Sequence, residues 1–131
     1  QDISKEIITV VVKAKPEEFE DSSVVKVAIA FSNVEDNQTD VGNALYFSRA
    51  CIPTGNVTVW HHIGIYSWRR DTLERFVKLK PSPLEKSEKL EQLRALESGI
   101  NIHSIVTDEH PIGVDTQKDL EKAENYFRDL T

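Results

Sequence analysis

Apolar residues form short runs in the first half of the chain. Ile7 to Lys13 (IITVVVK) is β-branched, nearly continuous in its apolarity and too short for a helix, which predicts an interior strand covered on both faces. A second β-branched run extends from Val24 to Phe31. The Asn, Asp and Gly residues of SNVEDNQTDVGN then indicate a hairpin loop, so that Ala44 to Ser48 returns as the partner strand.

Alternation predicts another strand in VWHHIGIYSWRR. One face carries Trp60, His62, Gly64, Tyr66 and Trp68, and the other carries His61, Ile63, Ile65 and Ser67. Because two isoleucines belong to the second face, we expect it to be the core side. The first face would then offer a ring and a phenol on either side of a residue without a side chain, as in a wall that contacts a ligand. An ordinary aromatic sheet face with a bulge at Gly64 fits the same pattern.

Helical spacing begins after Asp71, with apolar residues at Leu73, Phe76, Val77 and Leu79. Pro83 to Ser98 predicts one continuous helix, because proline stands in its first turn and Gly99 follows as a terminator. Ile100 to Val106 predicts a strand. Thr116 opens a last helix. This mixture of strands and helices predicts an α/β domain in which a mixed β-sheet is flanked by helices.

Bulk properties limit the classes of function. A chain of 131 residues with 39% hydrophobic content predicts one domain, residues 1–131. The formal charge of -6, from 22 acidic and 16 basic residues, argues against nucleic acid or an anionic membrane as partner. The single cysteine, Cys51, cannot form an intramolecular disulfide, and no apolar run approaches the length of a membrane span, so we expect a cytoplasmic protein.

The long predicted helix carries an acid among small side chains. A helical wheel places Leu90, Leu93 and Leu96 on the buried stripe and Ser87, Glu91, Ala95 and Ser98 in a second row. That row would line a cleft, with Gln92 at its rim. A solvated helix face is the alternative for Glu91.

Two charged residues near the ends of predicted elements are further candidates. Asp115 lies one place before Thr116, outside the helical ladder, where it would bind a hard cation such as Mg²⁺ or simply form a turn. Arg49 leaves a strand end and would pair with a substrate carboxylate as a fork, or form a surface ion pair.

Four motifs in chain order carry a family resemblance. ALYFSRACIP, HHIGIYSWRRDTLERFV, PSPLEKSEKLEQLRALESG and PIGVDTQKDLEKAE resemble the second half of the 3-deoxy-manno-octulosonate (KDO) cytidylyltransferases, also called CMP-KDO synthetases. KPEEFEDSSVVKV resembles the segment just ahead of them. The resemblance covers nearly the whole chain from about Ile8, with Val34 to Val41 as a local insertion.

The resemblance implies the C-terminal part of a nucleotide-diphospho-sugar-transferase-like fold. It also implies transfer of a cytidylyl group from CTP to KDO, which releases pyrophosphate and gives CMP-KDO for lipopolysaccharide assembly. By resemblance, Asp115 would hold magnesium, and the sugar pocket would be lined by Arg49, His62, Tyr66, Glu91 and Gln92. We expect the long hairpin and the helix from Pro83 to form a homodimer.

The sequence departs from the family in two places. The Arg-x-Pro-Gly-Lys-Pro nucleotide-binding loop and the second magnesium-binding aspartate have no counterpart in these 131 residues. The stretch between Pro53 and His62 is also shorter than usual. Two alternatives therefore stay open, a non-catalytic sugar-binding or dimerisation module and a related cytidylyltransferase for sialic acid or amino-KDO.

Overall fold

A computed structural model describes residues 5–31, 41–55, 57–108 and 117–130. Within these residues the strands are Ile7–Lys13 (β1), Lys26–Phe31 (β2), Val41–Ser48 (β3), Trp60–Trp68 (β4) and Ile102–Thr107 (β5). The α-helices of the same residues are Arg70–Phe76 (α1), Pro83–Glu88 (α2), Gln92–Glu97 (α3) and Gln117–Leu130 (α4). A short 3-10 helix at Pro16–Glu18 lies between β1 and β2.

The strands form one mixed sheet that closes on itself in the order β1-β4-β2-β3-β5. β1 pairs antiparallel with β4 and parallel with β5, while β3 pairs antiparallel with β2 and β5. The predicted hairpin of β2 and β3 is therefore confirmed, as is the mixed sheet with helices around it. Closure of the sheet was not part of the prediction, because it depends on pairings between strands that are distant in sequence.

Side chains on the inner side of the sheet make the core. Ile7 and Val11 of β1, Phe47 of β3 and Ile102 of β5 are all fully buried. Leu93 of α3 packs into the same cluster. β1 has the predicted bounds, and it lies between two other strands, as expected of an interior strand. Each buried aliphatic or aromatic side chain of this kind stabilises the fold by about 1.5–3 kcal/mol.

The predicted orientation of β4 is wrong. Tyr66 and Trp68 pack against the core, and His62 is only 7% exposed, whereas Ile65 is 63% exposed. The prediction failed because it took the two isoleucines as the mark of the core, whereas the aromatic rings fill it. A bulge is also present: Thr9 of β1 pairs with Tyr66, but the next residue pairs with Ile63, which leaves residues 64 and 65 without partners on β1. Because two residues are inserted, His62, Tyr66 and Trp68 keep the same face. The face with the aromatic rings is thus the core side, and the bulge that the alternative placed at Gly64 is present at residues 64 and 65.

The prediction of one continuous helix from Pro83 to Ser98 is also wrong. The chain breaks into α2 and α3 at Lys89, which adopts the left-handed conformation with φ 59°. Carbonyl oxygens at the break accept hydrogen bonds from a distant side chain, Arg49, so the break is held from outside the helix. Gly99 does end α3, with φ 80°, as predicted.

The last helix is confirmed, and α4 buries Ala123 on one side. Its predicted cap, Thr116, lies outside the described residues, as do residues 32–40 of the hairpin loop.

Candidate functional site

A pocket of about 230 Å³ opens beside β4. It is lined by Tyr66, Trp68, Phe76, Glu91 and Gln92. The three rings form one continuous wall, with centroid distances of 6.2 Å between Tyr66 and Trp68 and 4.9 Å between Trp68 and Phe76. The volume lies below the roughly 300–1,000 Å³ typical of pockets for drug-sized ligands, which suits a small ligand such as a monosaccharide.

His62 lies behind the pocket wall. Its ring lies edge-on to that of Phe47 and tilted to that of Tyr66, with centroid distances of 4.9 and 5.4 Å. Its Nε2 lies 2.9 Å from the hydroxyl oxygen of Thr9. Burial, with a smaller contribution from His61, lowers the pKa of His62 to about 4. The imidazole is therefore neutral at physiological pH and acts as a hydrogen-bonding group, without a charge.

Tyr66 contributes a phenol that keeps its proton. Burial raises the pKa of Tyr66 well above its ordinary value, and the negative charge of Glu91 raises it further. A protonated phenol can donate a hydrogen bond, a carboxylate can only accept one, and the amide of Gln92 can do both. This combination beside an aromatic wall is suited to a ligand with several hydroxyl groups.

The junction between α2 and α3 brings the two polar residues to the pocket. Glu91 stands at the start of α3, immediately before Gln92, so the left-handed turn at Lys89 decides where both residues point. Arg94 then fastens the two helices by a bidentate pair with Glu85, at 2.8 and 2.6 Å. Such paired charge-assisted bonds are the stronger kind and fix orientation as well.

The same arginine also touches the pocket wall. The Arg94 guanidinium lies 5.0 Å from the centre of the Phe76 ring, and one of its nitrogens lies 3.8 Å from a Glu91 oxygen. The wheel row predicted for Glu91 is wrong, however, because Ala95 is fully buried while the Glu91 side chain is 70% exposed. Glu91 lines the pocket because it immediately precedes the first residue of α3, and a continuous helical row plays no part.

Arg49 is not brought to the pocket. Its guanidinium donates to the backbone carbonyls of Ser22, Glu88 and Lys89, at 3.0, 3.2 and 3.4 Å. Its own carbonyl accepts a bond of 2.9 Å from the amine of Lys26, which is fully buried. The residue therefore ties the end of β3 to the helix junction, and its contact with a substrate carboxylate stays a prediction.

The candidate metal ligand, Asp115, lies outside the described residues. Among the residues that are described, no group of three or more His, Cys, Asp or Glu side chains is arranged to hold a metal ion. Glu91 is the acid that lines the pocket. Magnesium usually takes one or two protein carboxylates and completes its coordination with water and ligand oxygens. The Glu91 carboxylate alone would therefore hold magnesium only together with Asp115 and oxygens of the ligand.

Sequence reasoning missed two residues that shape the site. Thr9 is the single polar residue among the first six residues of IITVVVK, with apolar residues on both sides, and that isolation was the available signal. Glu88 accepts hydrogen bonds from the hydroxyls of Tyr46 and Ser48, at 2.8 and 3.0 Å. Its neighbours along the chain give no sign of these contacts, because both partners come from β3.

Comparison with known proteins gives a consistent picture. The family model described as cytidylyltransferase matches residues 3–104. A 3-deoxy-manno-octulosonate cytidylyltransferase of Rickettsia akari is 44% identical over 126 residues, which cover 96% of this chain and 48% of that protein. The protein of the same name from Brucella ovis is 59% identical over 83 residues, or 63% of this chain and 33% of that one.

A solved structure extends the likeness to the fold. The structure of CMP:2-keto-3-deoxy-manno-octonic acid synthetase complexed with CTP matches with a TM-score of 0.86 and 33% identity, over 99% of this chain and 52% of that one. The sheet and its helices thus follow a nucleotide-diphospho-sugar-transferase-like fold, as the resemblance implied. The chain spans about half the length of the relatives that it matches.

None of the helices in the described ranges is long and apolar enough to cross a membrane.

The family model covers most of the chain, from before β1 into β5, and includes α1, α2 and α3. Three of the four motifs that suggested the resemblance lie within residues 3–104, and the chain belongs to the cytidylyltransferase family.

Proposed function

We propose that this chain forms the sugar-binding part of an enzyme that transfers a cytidylyl group from CTP to KDO, giving CMP-KDO and pyrophosphate for lipopolysaccharide synthesis. The observation that carries the proposal is the pocket, in which a phenol, a carboxylate and an amide stand beside an aromatic wall. Relatives named for this reaction, at 43% identity and above, support the choice of sugar.

Three side chains would recognise the sugar directly. Tyr66 would donate its phenolic proton to a sugar oxygen, Glu91 would accept from a sugar hydroxyl, and Gln92 would do either. The rings of Trp68 and Phe76 would cover the apolar C–H surface of the sugar and exclude water from the polar contacts. His62 would contribute a neutral hydrogen-bonding atom from behind Tyr66. Binding and orientation are the main requirements of this transfer, because phosphoryl chemistry depends chiefly on positioning and charge neutralisation.

Magnesium is the cofactor that we propose, with Asp115 as its ligand in this chain. When bound, the ion would neutralise charge on the nucleotide phosphates. One protein carboxylate is compatible with the ordinary coordination of magnesium, which often includes water and substrate phosphates.

We propose a second copy of this chain as partner. Val41 of β3 and Ile105 of β5 are register partners, 36% and 40% exposed, and Leu45 on β3 is 57% exposed. Apolar residues grouped on one sheet face favour burial against another surface.

Leu45→Glu should shift the sedimentation of the chain from dimer to monomer, because it places a charge in the proposed interface. Val57→Glu is the control, because Val57 is similarly exposed but lies on a loop, and it should leave the dimer intact. A parent chain that sediments as a monomer would contradict the proposal.

The cytoplasm is the proposed compartment, because the free Cys51 suits a reducing environment.

Titration of the chain with KDO tests the pocket. Tyr66→Phe and Glu91→Gln should each lower the affinity about tenfold, since each removes one hydrogen bond to the ligand, a loss of about 1–2 kcal/mol. Glu97→Gln is the matched control, because Glu97 is also exposed on α3 but lies outside the pocket lining. Equal affinity of all three variants and the parent chain would show that this is not the sugar site.

Formation of CMP-KDO from CTP, KDO and Mg²⁺ tests the reaction. Turnover by this chain that depends on the metal supports the enzyme. KDO binding without turnover favours the alternative of a non-catalytic sugar-binding module.

A further inference from the structure

Thr9 is a fully buried polar residue at the point where β4 bulges. The register pairs Thr9 with Tyr66 and Val10 with Ile63, so that two residues of β4 have no partner on β1. The Thr9 hydroxyl lies in the resulting gap, where its oxygen is 2.7 Å from the carbonyl oxygen of Ile65 and 3.3 Å from that of Ile63. A threonine side chain thus supplies a hydrogen bond that the interrupted ladder does not.

The same hydroxyl oxygen lies 2.9 Å from Nε2 of His62. A hydroxyl has a single proton, and a carbonyl oxygen can only accept. If Thr9 donated to His62, its oxygen would face the carbonyl oxygen of Ile65 at 2.7 Å with no proton between them. The proton of Thr9 therefore goes to Ile65, and Nε2 of His62 must donate to Thr9.

We propose that Thr9 is a positioning residue that fixes His62 as the tautomer with its proton on Nε2, so that Nδ1 keeps a lone pair and can only accept a hydrogen bond. The role of Nδ1 toward the ligand rests on the proposed function, whereas the tautomer does not. A lone pair at this position selects a hydrogen-bond donor and repels a carboxylate or carbonyl oxygen. Thr9 would thereby help the site to distinguish the hydroxyls of a sugar acid from its carboxylate.

The surroundings of His62 keep its ring neutral and in place. Its ring is held between Phe47 and Tyr66, and burial keeps its pKa near 4. The titratable groups nearby are His61, on the other face of β4, Glu18, whose carboxylate lies 3.1 Å from His61, and Lys26, the register partner of His61. The Lys26 amine donates to backbone carbonyls of Asp21 and Arg49, away from the contact between Thr9 and His62.

Imidazole nitrogen spectra of the chain with nitrogen-15 labelled histidine test the tautomer directly. At about pH 7 His62 should show a protonated Nε2 and an unprotonated Nδ1. Thr9→Val, which keeps the shape and removes the hydroxyl, should give a mixture of tautomers, and Thr9→Ser should restore the single one. Ser104→Ala is the matched control, because Ser104 is a fully buried register partner of Thr9 whose hydroxyl bonds to none of the described residues.

KDO affinity tests the consequence for the ligand. Thr9→Val should weaken binding about tenfold, and Thr9→Ser should restore most of it. In combination with His62→Ala, Thr9→Val should cause no further loss, because Thr9 acts through His62. If Thr9 only stabilised the fold, the double variant would bind KDO more weakly than His62→Ala alone.

The results separate this inference from the proposed function. Protonated Nδ1 on His62 in the parent chain would overturn the role of Thr9 whatever the ligand, and it needs no variant to be seen. A parent chain with the expected tautomer that binds no KDO would instead refute the proposed ligand, while the effect of Thr9→Val on the tautomer would still support Thr9 as the residue that orients His62.

Discussion

Acidification from pH 7 to pH 4 should lower the free energy of unfolding by about 3 kcal/mol through His62 alone. The pKa of this group is 6.5 when it is solvated and about 4 in the folded chain, where burial disfavours the charged form. Between these two values the unfolded chain binds a proton that the folded chain does not. Stability contributed by neutral His62 is therefore complete above about pH 6.5 and is lost as the pH falls toward 4.

Urea unfolding at a series of pH values measures this loss. His62→Gln, which cannot take up a proton, should flatten the dependence between about pH 6.5 and pH 4. His61→Gln is the matched control, because His61 lies next in sequence on the other face of β4, beside Glu18, and its loss should leave most of the slope. Equal slopes in His62→Gln and the parent chain would contradict the prediction.

Carboxylates contribute in a different range of pH. Arg94 holds the pKa of Glu85 below its ordinary value of 4.5, chiefly through their side-chain hydrogen bonds. A lowered carboxyl pKa contributes stability that is present above the unfolded value and lost only below it. As the pH falls, the stability that ionised Glu85 contributes is therefore lost only below about pH 4.5, where most of the loss through His62 has already occurred. One series of unfolding measurements can thus distinguish the two contributions.

Local sequence patterns predicted the strands well. β1 has the predicted bounds because its run of β-branched residues is both short and apolar, and the hairpin of β2 and β3 follows from a second such run and the segment ALYFS around a polar turn. The core side of β4 was predicted incorrectly, because the prediction took two isoleucines as the core face, whereas Tyr66 and Trp68 pack against the core and Ile65 is exposed in the bulge.

The helix junction could not be predicted from local patterns. Lys89 adopts a left-handed conformation without the glycine that usually marks one. Its conformation is compensated by hydrogen bonds from Arg49, a residue about forty positions away in the sequence. Resemblance named Tyr66, Glu91 and Gln92 together, and the structure brings these three to one pocket through that junction.

Glu88→Ala should destabilise the chain by about 3 kcal/mol. The Glu88 carboxylate accepts from the hydroxyls of Tyr46 and Ser48, at 2.8 and 3.0 Å, and Ser48 is only 4% exposed. Removing the acceptor leaves the proton of each hydroxyl without an acceptor, although the Ser48 oxygen still accepts from the backbone N–H of Ala50. Each hydrogen bond to a charged group contributes about 1.5–3 kcal/mol. Thermal and urea unfolding measure the change, and Glu121→Ala, at an exposed acid on α4, should cost less than about 0.5 kcal/mol.

The same substitution should weaken KDO binding through the junction. Glu88 ends α2, and the backbone carbonyls of Glu88 and Lys89 accept hydrogen bonds from Arg49. Loss of the Glu88 side chain should therefore loosen the turn that directs Glu91 into the pocket. Glu88→Gln separates the two effects: its single amide oxygen can serve one hydroxyl, and an intermediate loss of both stability and affinity should result. Lost stability with unchanged affinity would mean that the pocket keeps its shape without this tie, and that α3 alone sets the position of Glu91.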